Sequence, residues 1–461
     1  MVRTVVPKVS SILLKQVLVA ISCNFFCIGV GSTFGLSAVL LPQIKNETNF
    51  IYDDSYDSWV GSSSCLAMAF GCISAGVISD RFGRRFAHLL VALPFIAGWL
   101  ILGFAKNITM ILIGRVITGA CTGALRSLGP VYLGEIANPA YRPFLIFSLS
   151  LSSTSGIFLG HLFGGYLNWR TACFIMCVPT VLGLCLQAIL KESPLWLLYQ
   201  GEIGKGTEIF TWYRGDSEIA QKELADVLTE QKNRPQSLSF TEGLKTTCST
   251  AFVKPLLTSF LLFTTMQFTG VNSMSFYAQD LLKATFSGNL DPMMLMLVTD
   301  ATRIFGIFIL FFTSKFIPRK KFYVISCSTL VCMLLSLIAY IALEPSGVVW
   351  FSIIIILLLV YIGLGSIMIS LSWSFVGEIF PSSLRGLGSG IGCSSSFFLL
   401  FLVVNVTPII MVNHGIIAVY SMFAGVTLFA VFFLHFLLPQ TDGKTLQEIE
   451  SGYDDKKINQ G

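Results

Sequence analysis

Apolar runs of about 20 residues recur along this chain from Leu14 to Leu438, and nothing else in it restricts the fold so strongly. About 20 helical residues cross the hydrocarbon of a bilayer. Composition agrees with that reading. The chain is 54% hydrophobic and only 12% charged, with a mean hydropathy of +0.75. A soluble protein of this length carries about a quarter charged residues, so too little polar surface is left to cover a water-soluble globule. The expected fold class is an all-α membrane protein. Twelve spans are expected: 14–41, 58–79, 86–105, 110–133, 144–167, 171–190, 255–282, 293–316, 322–343, 348–376, 387–412 and 416–438. They divide the chain into a six-helix bundle over 1–190, a polar helical connector over 191–254, a second six-helix bundle over 255–438 and a polar tail over 439–461.

A nine-residue segment is written twice. Gly134-Glu135-Ile136-Ala137-Asn138-Pro139-Ala140-Tyr141-Arg142 returns as Gly377-Glu378-Ile379-Phe380-Pro381-Ser382-Ser383-Leu384-Arg385. Both copies begin Gly-Glu-Ile, both end in Arg, and both stand between long apolar runs. They read as equivalent helix ends in two duplicated, pseudo-symmetric halves. Internal duplication of membrane bundles points to a transporter with its binding site between the halves.

Two independent signals set the expected orientation. Sequons at Asn46 and Asn107 are usable only outside the cytoplasm. With both termini inside, the two sequons fall outside, and the basic turns at Arg81, Arg84 and Arg85, at Arg142, at Arg319, Lys320 and Lys321, and at Arg385 fall inside. A third sequon, at Asn405, lies within a span and is expected to be unused. The start of the chain is polar and its first apolar run is too long for a leader, so no cleavable signal is expected. The chain has 12 cysteines, most of them inside apolar runs and none with zinc spacing. They read as small buried residues. No nucleotide loop, metal cluster or catalytic triad is evident, so neither an enzyme nor a cofactor nor a metal is expected.

Six motifs in order resemble the sugar-porter branch of the major facilitator superfamily: Gly76-x3-Asp80-Arg81-Phe82-Gly83-Arg84-Arg85; Gly114-Arg115; the two Glu-to-Arg repeats; Glu192-Ser193-Pro194; Gln267-Phe268-Thr269-Gly270-Val271-Asn272; and Pro439-Gln440-Thr441. The resemblance covers nearly the whole chain. Within that branch it is most similar to insect facilitated trehalose or hexose transporters. It implies a charge network of Asp80, Arg81, Arg84, Arg85, Glu135, Arg142, Glu378 and Arg385 that latches the halves in one conformation and releases them in the other, giving a bistable interface. The second-half counterpart of the Asp80 turn is degraded, with Lys315 in place of an acid and Pro318 in place of a glycine.

The same resemblance nominates a sugar site. Gln267 and Asn272 match positions that contact hydroxyls, and an amide both donates and accepts. Interhelical polar glue is the plainer role for them. Met266 stands where the family has a second Gln. Trp373 matches the stacking tryptophan, although Ile367-Met368-Ile369-Ser370-Leu371-Ser372 replaces the proline-rich stretch before it. His161 falls where a Gln is common, and Phe397 where some members carry a second Trp. Three charges inside spans are unexpected: Arg126, Asp300 and Arg303. An intramembrane charge costs roughly 2.5–3.5 kcal/mol and so faces the bundle interior. Asp300 and Arg303 share a helical face and can pair. Arg126 has no partner on its own helix, and meets either Asp300 across the cavity or an anionic substrate.

The leading expectation is facilitative, uncoupled transport of a neutral hexose or trehalose by alternating access. Its alternatives are a proton-coupled symporter, a carrier of an anionic solute, and a non-transporting sugar sensor. The expected partners are a small sugar and the lipid bilayer of, most naturally, the plasma membrane, with no nucleic acid. The sequence is silent on oligomeric state.

Overall fold

The computed structural model describes residues 6–47, 56–139, 141–233, 250–286, 291–313, 316–343, 348–380 and 385–440. The first half is built from α1 (Val6–Lys45), α2 (Asp57–Phe82), α3 (Arg84–Gly103), α4 (Ile108–Ile136), α5 (Arg142–Tyr166) and α6 (Trp169–Ile189). Three short helices follow: α7 (Pro194–Tyr199), α8 (Ile203–Arg214) and α9 (Glu218–Asn233). The second half contains α10 (Thr250–Phe268), α11 (Val271–Phe276), α12 (Ala278–Phe286), α13 (Pro292–Thr313), α14 (Arg319–Leu343), α15 (Val348–Ile379) and α16 (Arg385–Leu437). No strand occurs among the described residues.

Ten of the described helices are long and apolar enough to cross a membrane. One of them, α16, holds two spans, because 53 residues make a rod of roughly 80 Å against a hydrocarbon core of about 30 Å. It breaks at Gly415, whose φ of 79° is left-handed. The seventh span is itself broken. α10 stops at Gly270, φ 80°, and the chain restarts as α11 and α12. Hydropathy averages over such breaks, which is why 255–282 reads as one run. Local chemistry sets other ends. Asn107 caps α4, its side-chain oxygen accepting from the Met110 amide at 2.9 Å, and Asn168 caps α6 in the same way. Gly83, φ 95°, turns the chain sharply between α2 and α3.

The packing repeats between the halves. In the first, α1 packs on α5, α2 on α4, and α3 on α4 and α6. In the second, α10 packs on α16, α13 on α15, and α14 on α15 and α16. The halves meet along two seams, α2 with α16 and α5 with α13, which a two-fold pseudo-axis would exchange. The tightest contacts inside the first half need glycine. A Cβ at Gly31 on α1 would lie 1.8 Å from the Ser153 carbonyl oxygen on α5, and one at Gly123 on α4 would lie 2.0 Å from that of Met68 on α2. Small residues allow such backbone approach where lipid supplies no hydrophobic drive.

The described part of the connector is docked rather than loose. Gln16 on α1 donates to the Tyr213 carbonyl at 2.8 Å, and Lys15 donates to that of Trp212 at 3.1 Å. The Tyr132 and Tyr213 hydroxyls both donate to the Lys191 carbonyl, at 2.5 and 3.0 Å. Burial lowers the Arg214 guanidinium to about 10, against the pull of Glu223 at 3.0 Å, so it stays charged at neutral pH.

Candidate functional site

A narrow cavity of about 70 Å³ lies where the halves face each other. From the first half come Phe34 on α1, Arg126 on α4, and Ser150, Ser153, Thr154 and Ile157 on α5. From the second come Met266 and Gln267 on α10, Asn272 on α11, Arg303 and Ile307 on α13, Ser366, Ile369, Ser370 and Trp373 on α15, and Phe397 and Leu400 on α16. The lining is therefore apolar walls, a tryptophan, two amides, several hydroxyls and two guanidinium groups.

Gln267 and Asn272 form one unit. Asn272 donates to the Gln267 side-chain oxygen at 2.8 Å, and the Gln267 nitrogen donates to the Ser396 hydroxyl and carbonyl at 3.0 and 3.2 Å. The break at Gly270 brings the two amides together: α10 ends below it and α11 begins above it, so Asn272 folds back over Gln267. Trp373 sits edge-on to Phe263, with ring centres 5.1 Å apart, and beside Phe397 at 6.1 Å. On the opposite wall the Arg126 guanidinium lies 4.9 Å from the centre of the Trp373 ring. Arg126 meets neither Asp300 nor any other described acid.

His161 is not among the lining residues. It lies seven positions after Thr154 on the same face of α5, two helical turns deeper, and Thr154 occupies the wall. His161 instead crosses to the other half. Its Nδ1 is 2.5 Å from the Asp300 carboxylate and its Nε2 is 3.2 Å from the Ser275 carbonyl, with both side chains only 1–2% exposed. Arg303 is the weaker partner of Asp300, at 3.9 Å, and also donates to the Ser275 hydroxyl and the Val271 carbonyl. The expected pairing within α13 is thus subordinate to a bond between halves. A hydropathy reading could not find this bond, because it joins residues 139 positions apart. The serine-rich stretch from Ser148 to Thr154 was the available signal for the α5 wall.

The basic motif forms a network at one end of the first half. The Arg84 side chain donates to both Glu135 oxygens at 2.9–3.0 Å and to Asp80 at 3.0 Å. Glu192 accepts from the Arg84 and Arg85 amides at 2.8 and 2.9 Å, capping α3, and Ser193 donates to Glu135. The Arg85 side chain donates to the Gln187 and Ala188 carbonyls at 3.2 and 2.5 Å. Arg81 lies over the Phe82 ring, and Arg142 donates to the Ala137 carbonyl at 3.5 Å. Sequence reasoning quoted Glu192 and Ser193 as family markers and missed their part in this network. The described contacts tie α2, α3, α4 and α7 together and none of them enters the second half. The side chains of Glu378 and Arg385 lie outside the described residues, as does Lys315.

Asn46 and Asn107 are exposed at the opposite end. Arg170 holds that end together, pairing with Glu47 at 2.9 Å and donating to the Ala105 carbonyl at 3.1 Å. Asn405 is instead engaged between the halves, donating to the Ser62 hydroxyl at 3.3 Å. Every described cysteine is a free thiol.

The chain is similar to known proteins. The profile of the family described as sugar (and other) transporter matches residues 18–453. The facilitated trehalose transporter Tret1-2 homolog of Drosophila simulans is 28% identical over 450 residues, spanning 95% of this chain and 90% of that protein. The facilitated trehalose transporter Tret1 of Polypedilum vanderplanki is 27% identical over 440 residues, spanning 94% and 86%. Among solved structures, the proton:xylose symporter XylE bound to 6-bromo-6-deoxy-D-glucose superposes with a TM-score of 0.79 at 19% identity, covering 96% of this chain and 99% of that one. The inward-open xylose transporter XylE from E. coli gives 0.72 at 20%, covering 96% and 100%. At such identities the structural likeness carries the fold alone, which is that of the major facilitator superfamily.

Proposed function

The chain belongs to the sugar (and other) transporter family, and from that premise we propose that it carries a neutral hexose or trehalose across a membrane by alternating access, as a uniporter. It is a transporter and not an enzyme. The observation that carries the reading is the cavity between the halves, with paired amides on one wall, hydroxyls on the other and an aromatic face at Trp373. A sugar presents many hydroxyls and an apolar C–H surface, and this lining offers partners for both. The insect relatives named above are trehalose transporters, which puts trehalose first among the candidates.

The sequon end faces outward and the Asp80–Arg85 end faces the cytoplasm, on the agreement of sequons with basic turns. The plasma membrane is the natural location, since glycosylated outer loops belong to the secretory route. The Arg84–Glu135–Asp80 network braces the cytoplasmic end of the first half, and Glu378 with Arg385 would face it from the second. Transport is uncoupled to protons. No Asp or Glu occurs between Met1 and Asn46, so α1 offers no titratable acid. Asp300 is bonded away from the cavity to His161 and does not line it.

Uptake by the purified protein in liposomes, against a panel of hexoses, trehalose and polyols, tests this reading. Equilibrating uptake of one panel sugar is expected, unaltered by an imposed proton gradient. Absence of sugar flux sinks the reading, and uphill accumulation that an uncoupler collapses replaces uniport by symport.

A further inference from the structure

Arg126 is the feature of the cavity that a neutral sugar leaves unexplained. It stands on a membrane-spanning helix, half-buried in the cavity wall, where an unpaired charge costs roughly 2.5–3.5 kcal/mol on insertion scales. Among the described residues it makes no hydrogen bond and no ion pair, and its partner is the Trp373 ring at 4.9 Å. Among the described residues no Asp or Glu lines the cavity. The other cation there, Arg303, is set against Asp300 at 3.9 Å and against two oxygens of the α11 segment. Among the described residues, one positive charge of the cavity is therefore left without a counter-charge.

We infer that the cavity takes, besides a neutral sugar, a sugar that carries a carboxylate, and that Arg126 binds the carboxylate. The inference rests on the reading that this cavity is the translocation site. The geometry favours a planar monoanion. The Arg126 guanidinium carbon lies over the Trp373 ring and its N–H groups have no hydrogen-bond partner among the described residues, so they are left to meet the two oxygens of a carboxylate. One uncompensated cation balances one negative charge, whereas a phosphate brings closer to two. A uronate held this way has its hydroxyl-bearing ring in the cavity, within the same enclosure as Ser150, Thr154, Gln267 and Asn272.

The test is counterflow in liposomes holding the purified full-length protein, loaded with the panel sugar that it carries. Glucuronate, glucose and glucose 6-phosphate are added as competitors. A charge-assisted bidentate contact corresponds to at least about tenfold in affinity, so glucuronate is expected to compete about tenfold better than glucose. Arg126→Gln brings that ratio to about one, and Arg126→Lys keeps part of it. Calorimetric binding of glucuronate to the unaltered protein gives the same comparison without depending on a variant that folds. Glucuronate no better than glucose in the wild type overturns the inference. So does a ratio that survives Arg126→Gln, and glucose 6-phosphate equal to glucuronate overturns the choice of carboxylate. Loss of all sugar flux in the wild type strikes the transport reading instead.

Discussion

Gln267 meets the cavity with both ends of its amide engaged, the nitrogen on Ser396 and the oxygen on Asn272. On the proposed binding role, a sugar hydroxyl would join that pair through the hydrogens and lone pairs left over, at about 1 kcal/mol net for each bond. Gln267→Ala and Asn272→Ala should each raise the Kd of the carried sugar about fivefold while protein reaches the membrane normally. Unchanged affinity in both variants, measured by equilibrium binding, would reduce the amides to glue between α10, α11 and α16. His161 and Asp300 ask a different question, because they lie outside the lining and join the halves. Asp300→Asn replaces a carboxylate facing an imidazole and a guanidinium with a neutral amide. Exchange rate is expected to change at least about fivefold and Kd to stay within about twofold, since the pair acts on movement between conformations and not on the solute. A shift in Kd with the rate intact would return the pair to the binding site. At this scale the sequence assigns a residue to a helix face more readily than to a depth. Period 3.6 places Thr154 and His161 on one stripe of α5, and only the position of the partner half decides which of them sees the cavity.

Among the elements, the broken seventh span was the least legible. Its composition is continuous from Pro255 to Leu282, and apolar content does not report a left-handed residue. Gly270 was visible as a letter within a family motif, but its φ of 80° gives it the task of turning Asn272 back onto Gln267. A Cβ there would meet the Phe423 ring at 2.3 Å, in a backbone region that costs an L-residue roughly 1–2 kcal/mol. Gly270→Ala is therefore expected to lower the melting temperature in detergent by several degrees and to weaken sugar binding through the displaced amides. A variant with wild-type binding would show that the break is not what sets the site. The twin spans of α16 are the opposite case. Their boundary was read at 412–416, and the kink falls at Gly415, where positive φ ends the first of them. The docking of α8 on α1 was not legible at all, because polar sequence reports exposure to water and not which surface a helix lies against.

At the scale of the whole molecule, the duplication written in Gly134–Arg142 and Gly377–Arg385 has its counterpart in packing, where the seams α2–α16 and α5–α13 are related as the halves are. Alternating access requires those seams to open at one end while they close at the other. Here the sequon end is shut by contacts of several kinds. Ser62 and Asn405 are joined at 3.3 Å, the Phe34 and Phe276 rings are 5.4 Å apart, and His161 meets Asp300. None of these groups belongs to the basic-end network, so the two ends can be tested separately. Bridging Ser62→Cys to Asn405→Cys with a short, reducible thiol cross-linker should hold the sequon end closed and stop sugar exchange. Reduction should restore it, and either single variant should exchange sugar after the same treatment. Full cross-linking that leaves exchange at its starting rate would mean that the α2–α16 seam does not part during transport. The pathway would then have to run through the α5–α13 seam alone, with the two halves no longer moving as equivalent bodies.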